Sequence, residues 1–326
     1  MIAAPIAGIA GLTAETADKK DSRTQNGKWP FKVPQRSRIP EVVGNHMVYN
    51  PIDAFLLAKL ESKGQTFSAR ADKSVLLRRL YMDLVGVPPT PETIVSFLQD
   101  DHPDTYLRMV EQLLSTMRYG ERWGRHWMDV WRYSDWAGFG KEIRYSQKHI
   151  WRWRDWIVDS LNADKGYDQM IVEMLAADER YPGDGDKLRA TGFLARNWYK
   201  FDRNVWLDDV IEHTGKAFLG MTFKCARCHD HKYDPISQSE YYQLRTIFEP
   251  YDVRTDRVPG QVNVDKDGLA RIFDARPDAL TYLFQRGDPK LFDKQQPQNP
   301  DVPDVLGGTF QIEPVVLQLE DYYPAI

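Results

Sequence analysis

The chain has 326 residues, 42% hydrophobic and 28% charged, with a net charge of −4 and both signs dispersed along it. That length suits one domain with a long accessory segment, or two domains, each able to bury a proper core. The balance excludes the basic patch that nucleic-acid binding asks for, and no stretch is long and apolar enough to span a bilayer, so neither a nucleic-acid partner nor a membrane span is expected.

In chain order, residues 2–12 form an apolar, Ala/Gly-rich stretch of signal-peptide length with no Lys or Arg before it. It reads either as the remnant of a leader or as a disordered tail. Pro30, Pro34 and Pro40 mark an extended lead-in, so residues 1–50 are taken as leader remnant and linker. From Pro51 the pattern is helical to about residue 250. Pro51 opens one helix, Asp72 caps another that runs through Leu77, Leu80 and Leu84 to Gly86, and Thr90-Pro91-Glu92 starts a third. Residues 106–117, 119–134, 150–161, 205–218 and 237–248 complete the set. Beyond Pro250 helical periodicity fades, Pro and Gly become frequent, and residues 280–284 look like a strand. The expected fold class is mainly α: a helical haem-binding body over 51–250, and an irregular, partly β segment, 251–326, packed on it.

The two cysteines of the chain stand in Cys225-Ala226-Arg227-Cys228-His229. This spacing suits covalent attachment of haem c. Each thiol adds across one porphyrin vinyl group, and His229 is tethered beneath the ring as an axial ligand of the iron. Three other chemistries compete. A thioredoxin-type redox pair does not need His229, and no βαβ pattern lies nearby. Zinc needs two further ligands, and only His231 is near. A disulfide would close a very small, strained loop. Thioether attachment normally takes place outside the cytoplasm, which implies a periplasmic or secreted protein.

A second informative run surrounds His126. On a helix, Tyr119, Trp123, His126, Trp127, Val130 and Ser134 share one face. A histidine among tryptophans on a buried face suits the second haem ligand or a distal-pocket residue, although a core histidine bonded to a carboxylate fits the same pattern. Met221 and His231 lie too close to the motif to reach the opposite side of a haem, while His46 and His149 remain open. Arg132, Tyr133 and Asp135 follow the His126 helix, and residues 151–156 alternate Trp with Arg. Such arginines pair either with haem propionates or with surface acids. Ten Trp, sixteen Tyr and fourteen Phe would wall a flat macrocycle or fill an ordinary core.

These words together resemble the secreted cytochrome-like domain of planctomycetes and related bacteria, long filed as a domain of unknown function. The resemblance rests on residues 77–91, 119–135, 151–156, 190–193, 218–235, 282–289 and 303–308, and covers roughly 50–310. It implies haem c and export, with a second conserved domain as a neighbour in related proteins. It supplies no reaction. Two functions follow. The first is an exported mono-haem cytochrome-like electron carrier with a redox partner protein. The alternative is a haem c enzyme acting on peroxide, oxygen or an organic substrate, with an open distal site near His126. A weaker third is a binding module, associated with polysaccharide or with a second domain.

Overall fold

The computed structural model describes residues 34–134, 148–307 and 310–318; the leader-like residues 2–12 and Asp135 lie outside these. Short polar residues set where helices begin. Asn50 accepts the N–H groups of Ile52 and Asp53, and the Asp53 carboxylate accepts the Asn50 N–H, so α1 (Pro51–Glu61) opens with a closed capping box. Its first residue is a proline, whose missing N–H would have had no helical partner. α2 (Lys73–Leu84) follows Asp72 and stops at Gly86, which is left-handed (φ 74°) and gives its N–H to the Tyr81 carbonyl. Thr90 caps α3 (Pro91–Gln99) through the Thr93 N–H. Residues 106–117 do not form one helix: α4 (Thr105–Leu114) ends, and α5 (Met117–Val130) begins after a short break. α5 also stops earlier than residue 134, because Arg132 turns left-handed (φ 57°).

α6 (Trp151–Asn162) is followed by a helix that the sequence reading did not anticipate, α7 (Tyr167–Arg180). No side chain caps it, since Gly166 stands at the cap position, so the usual start signal is missing. The short helices α8 (Gly185–Leu188) and α9 (Gly192–Ala195) lead to α10 (Arg203–Thr214), which Asp202 caps. α10 runs on as a single π turn, Gly215–Leu219, ended by left-handed Gly220 (φ 64°). α11 (Gln238–Phe248) opens with a Ser237/Glu240 capping box. Two small antiparallel sheets follow. β1 (Tyr251–Asp256) pairs with β2 (Leu269–Asp274), from Tyr251 opposite Asp274 to Asp256 opposite Leu269. β3 (Thr281–Tyr282) pairs with β4 (Pro297–Gln298), a shorter strand than residues 280–284 suggested. The protein is mainly α with a partly β C-terminal segment. Among the described residues no helix is long and apolar enough to cross a membrane.

The largest fully buried side chains are chiefly aromatic. Trp153, Trp156, Trp206, Phe193, Phe223 and Tyr242 are all but sealed from solvent and belong to one cluster with Ile272 and Phe284 of the C-terminal segment. They pack on one another, each contributing stability on the scale of a fully buried large side chain, roughly 1.5–3 kcal/mol.

The orientation of α5 corrects an expectation. Its buried residues are Gly120 and Gly124, while His126 is exposed. The hydropathy pattern pointed to the aromatic face, but two glycines four residues apart let α6 approach the backbone of α5 directly. The Gly120 N–H donates to Asn162 Oδ1 at 2.8 Å, and a Cβ at 120 would lie 2.6 Å from the Val158 carbonyl oxygen. Gly120→Ala is therefore expected to lower stability by about 1–3 kcal/mol in urea unfolding. Gly124→Ala meets Val158 Cγ2 at 3.2 Å, with its next neighbours at ordinary contact distance, and should cost clearly less. Equal effects would show that the helices do not meet through these glycines.

Candidate functional site

The Cys225–His229 turn is built by sorting neighbours to opposite sides. Phe223 and Ala226 are fully buried, while Cys225, Cys228 and His229 are exposed. A hydrogen bond from the Ala226 N–H to the Phe223 carbonyl, 2.9 Å, starts the turn, and the Cys228 N–H continues it to the Cys225 carbonyl at 3.3 Å. The apolar pair pulls the backbone onto the core, and the reactive side chains are left outward. The thiols are not joined in a disulfide.

Groups far away in sequence hold the turn from behind. Glu212, on α10, accepts the N–H groups of Phe223 and Lys224, each at 2.8 Å, and the Lys216 ammonium at 2.7 Å. Burial pushes the Glu212 carboxyl up, but the Lys216 contact and the two backbone N–H groups outweigh it and hold the carboxyl below its ordinary range. Arg227 turns inward. Its Nε lies 3.0 Å from Asp208 Oδ2, and its Nη2 donates to the Gly287 carbonyl at 3.1 Å. The Arg227 carbonyl accepts from Gln238 Nε2 at 2.9 Å and from the Tyr242 hydroxyl at 3.0 Å. Asp208 also accepts the Tyr241 hydroxyl at 2.6 Å, and burial raises its pKa against that bond and the pull of Arg227 and Arg245. Gly287, left-handed at φ 75°, seats its backbone so close to Cys228 that a Cβ there would stand 2.5 Å from Sγ.

The two histidines of the motif region differ in what they are free to do. His229 Nδ1 lies 2.8 Å from the Asp230 carbonyl oxygen. A carbonyl can only accept, so Nδ1 carries the hydrogen in that bond, and in the neutral ring the lone pair is on Nε2. His231 is used up locally. Its Nδ1 accepts the Asp234 N–H at 2.8 Å, and its Nε2 faces the Thr222 hydroxyl at 3.3 Å. It therefore shapes the turn out of the motif and is not placed to bind a second metal or a propionate. Met221 is buried in the core cluster, His149 ties α6 to the Val264 carbonyl, and His46 is exposed.

The residues singled out on α5 divide into two groups. Trp123 meets His126 edge-on, with ring centroids 5.4 Å apart. Trp127 stacks on Trp131 at 4.9 Å and approaches Tyr167 at 5.2 Å. The end of α5, by contrast, is joined towards the motif. Tyr133 lies 5.6 Å from Trp153, Trp153 5.9 Å from Phe193, and Phe193 5.1 Å from Phe218, on the π turn just before the cysteines. The Arg132 carbonyl accepts Arg196 Nε at 3.1 Å. In the 151–156 run, Arg152 pairs with Asp267 at 2.7 Å, the surface-acid outcome, while Trp153 and Trp156 are core. The backing groups Glu212, Asp208, Gln238, Tyr242 and Gly287 were not singled out from sequence. Gly287 does fall within the 282–289 stretch of the resemblance, but nothing local marks its contact with Cys228.

Fold and site together define a mainly α-helical domain that presents a Cys-x-x-Cys-His turn on its surface. The model of the family PSCyt2, described as a protein of unknown function (DUF1549), matches residues 51–253, and the chain belongs to that family. That match takes in every helix from α1 to α11 and the whole turn. No curated protein and no solved structure matches the chain.

Proposed function

We propose that the protein carries one haem c, joined by thioethers to Cys225 and Cys228 with His229 Nε2 as axial ligand, and that it is an exported electron carrier. The observation that carries this reading is the presentation of the turn: two unpaired thiols, two residues apart, exposed on a backbone anchored from behind, beside an imidazole whose other nitrogen is already bonded. Fixing Nδ1 on a carbonyl orients the ring and raises the basicity of Nε2, as expected of a ligand histidine. Zinc fits less well, since among the described residues no three His, Cys, Asp or Glu side chains stand close enough to hold a metal ion. Thioether attachment does not ask the cysteines to converge, because they bond the porphyrin rim and leave the iron to His229. Bound there, haem would supply a one-electron couple. Attachment at the surface leaves an edge within reach of a redox partner protein, which favours transfer over an enclosed catalytic pocket. His126, exposed on α5, is the proposed sixth ligand. The periplasm or the exterior is the compartment that this chemistry implies.

The test is expression with a haem c maturation system. A denaturing gel stained for haem should show a band at the mass of the protein, and Cys225→Ala with Cys228→Ala should remove it completely. A colourless wild type, or colour stripped entirely by acid–acetone, would refute the reading. In the loaded protein His126→Ala should convert a low-spin ferric spectrum to high-spin with haem still attached; an unchanged spectrum would remove His126 from the iron.

A further inference from the structure

Arg196, which follows α9, is almost sealed from solvent. Its Nε donates to the Arg132 carbonyl and its Nη1 to the Phe193 carbonyl, but its Nη2 is buried without a partner. Among the described residues no carboxylate forms an ion pair with it. Asp209 is the one acid whose charge acts on it, and burial takes the guanidinium down to about 9 all the same.

Two further buried nitrogens have no hydrogen-bond partner among the described residues. The Arg196 guanidinium carbon lies 5.8 Å from the centroid of the Trp153 ring, whose Nε1 is unpartnered. His213, near the end of α10, has an unpartnered Nδ1. Burial first, and then the charges of Arg196, Arg132 and Lys216 against that of Glu212, push its imidazole down to about 3, so it is neutral at ordinary pH.

All these orphans are alike in kind. Guanidinium and indole nitrogens can only donate, and a neutral imidazole can present Nδ1–H. Buried polar groups are nearly always satisfied, so a buried, unpaired guanidinium with an indole beside it and an imidazole that feels its charge leaves one thing missing, an anionic acceptor. We propose that Arg196, Trp153 and His213 form a buried site for a monovalent carboxylate. The planar guanidinium fork matches carboxylate oxygens, and one buried cation among neutral donors balances a single negative charge better than a phosphate dianion. The carboxylate could come from two sources, a small free organic acid or a propionate arm of haem. The second rests on the haem reading and the first does not. The chain of rings from Trp153 through Phe193 to Phe218 places the site beside the element that leads into Cys225.

The test uses the full chain without haem and, separately, loaded with it. Acetate is titrated at constant ionic strength, with chloride and phosphate as controls, while Trp fluorescence and the His213 imidazole resonances are followed. The haem-free chain should bind acetate saturably, and the bound anion should raise the His213 pKa by offsetting Arg196. Phosphate and chloride should not saturate over the same range. Arg196→Lys, which keeps the charge but loses the fork, should weaken acetate about tenfold. Should that variant fail to fold, His213→Gln provides the check: it should weaken acetate, with its folding verified by urea unfolding. In the loaded protein, loss of acetate binding identifies the propionate as the occupant, and retained binding identifies a free acid. A chain that takes no haem still answers the acetate question. No saturable acetate response in the haem-free chain, or a response unchanged in Arg196→Lys and His213→Gln, overturns the site.

Discussion

Lys165→Met is expected to lower stability by about 3–5 kcal/mol, measured as the shift in urea unfolding. Glu173, on α7, has no exposed surface, and its carboxylate accepts from Lys165 Nζ at 2.6 Å, Trp156 Nε1 at 2.9 Å and Gln169 Nε2 at 3.0 Å. Lys165 is the only one of the three that brings a charge. Taking it away leaves an enclosed carboxylate with neutral donors alone, and breaking one side of a buried pair costs far more than the pair is worth intact. Methionine keeps a long apolar stem beside the Trp156 ring, which Lys165 Nζ approaches to 5.1 Å, so the loss reports charge more than packing. Adding Glu173→Gln to Lys165→Met should recover a large part of it, because the orphaned charge disappears. The four proteins make a double-mutant cycle with a coupling of several kcal/mol. A loss below about 1 kcal/mol in Lys165→Met would place the pair with exposed ion pairs, and the join between α6 and α7 would need another explanation.

What could be read in the sequence was whatever is written locally. Thr90 and Ser237 mark helix starts because their side chains reach N–H groups three residues on, whereas Asp72, expected to cap α2, makes no such side-chain bond. The Cys225–His229 chemistry is equally local, since spacing alone defines it. α7 was missed because Gly166 offers no cap, and its apolar run Met170-Ile171-Val172 carries no clear period. The face of α5 was misjudged for a related reason: Gly120 and Gly124 carry no hydropathy signal, yet they are what α6 packs against. Helix packing is decided by shape as well as by greasiness. The groups behind the turn and those around Arg196 could not be read at all. Trp153, Arg196 and His213 come from three different helices or their ends, and only the folded chain brings Trp153 beside Arg196 and His213 within reach of its charge.

Glu212 shows how stability and the proposed chemistry share one side chain. Glu212→Ala would leave the Phe223 and Lys224 N–H groups without their acceptor and Lys216 without its partner. One buried and one partly buried donor left unmet set the expected loss at about 2–4 kcal/mol near neutral pH. These donors stand immediately before Cys225, so the turn should also loosen and haem attachment should fall below the wild-type level in the stained gel. Glu212→Gln keeps one carbonyl oxygen and should lie between the two. The pH dependence follows from the direction of the shift. The folded pKa is below the ordinary value of 4.5, so the stabilisation is fully present above that value and is lost as the pH falls through the folded pKa. The gap between wild type and Glu212→Ala should therefore be widest near pH 7 and should narrow as the pH falls below 4.5 through the folded pKa, closing once the carboxyl is protonated in both folded and unfolded chains. Urea unfolding across that range measures it. A gap that stays constant with pH would mean that Glu212 acts through packing alone, and the charge-assisted anchoring of the Cys225–His229 turn would have to be abandoned.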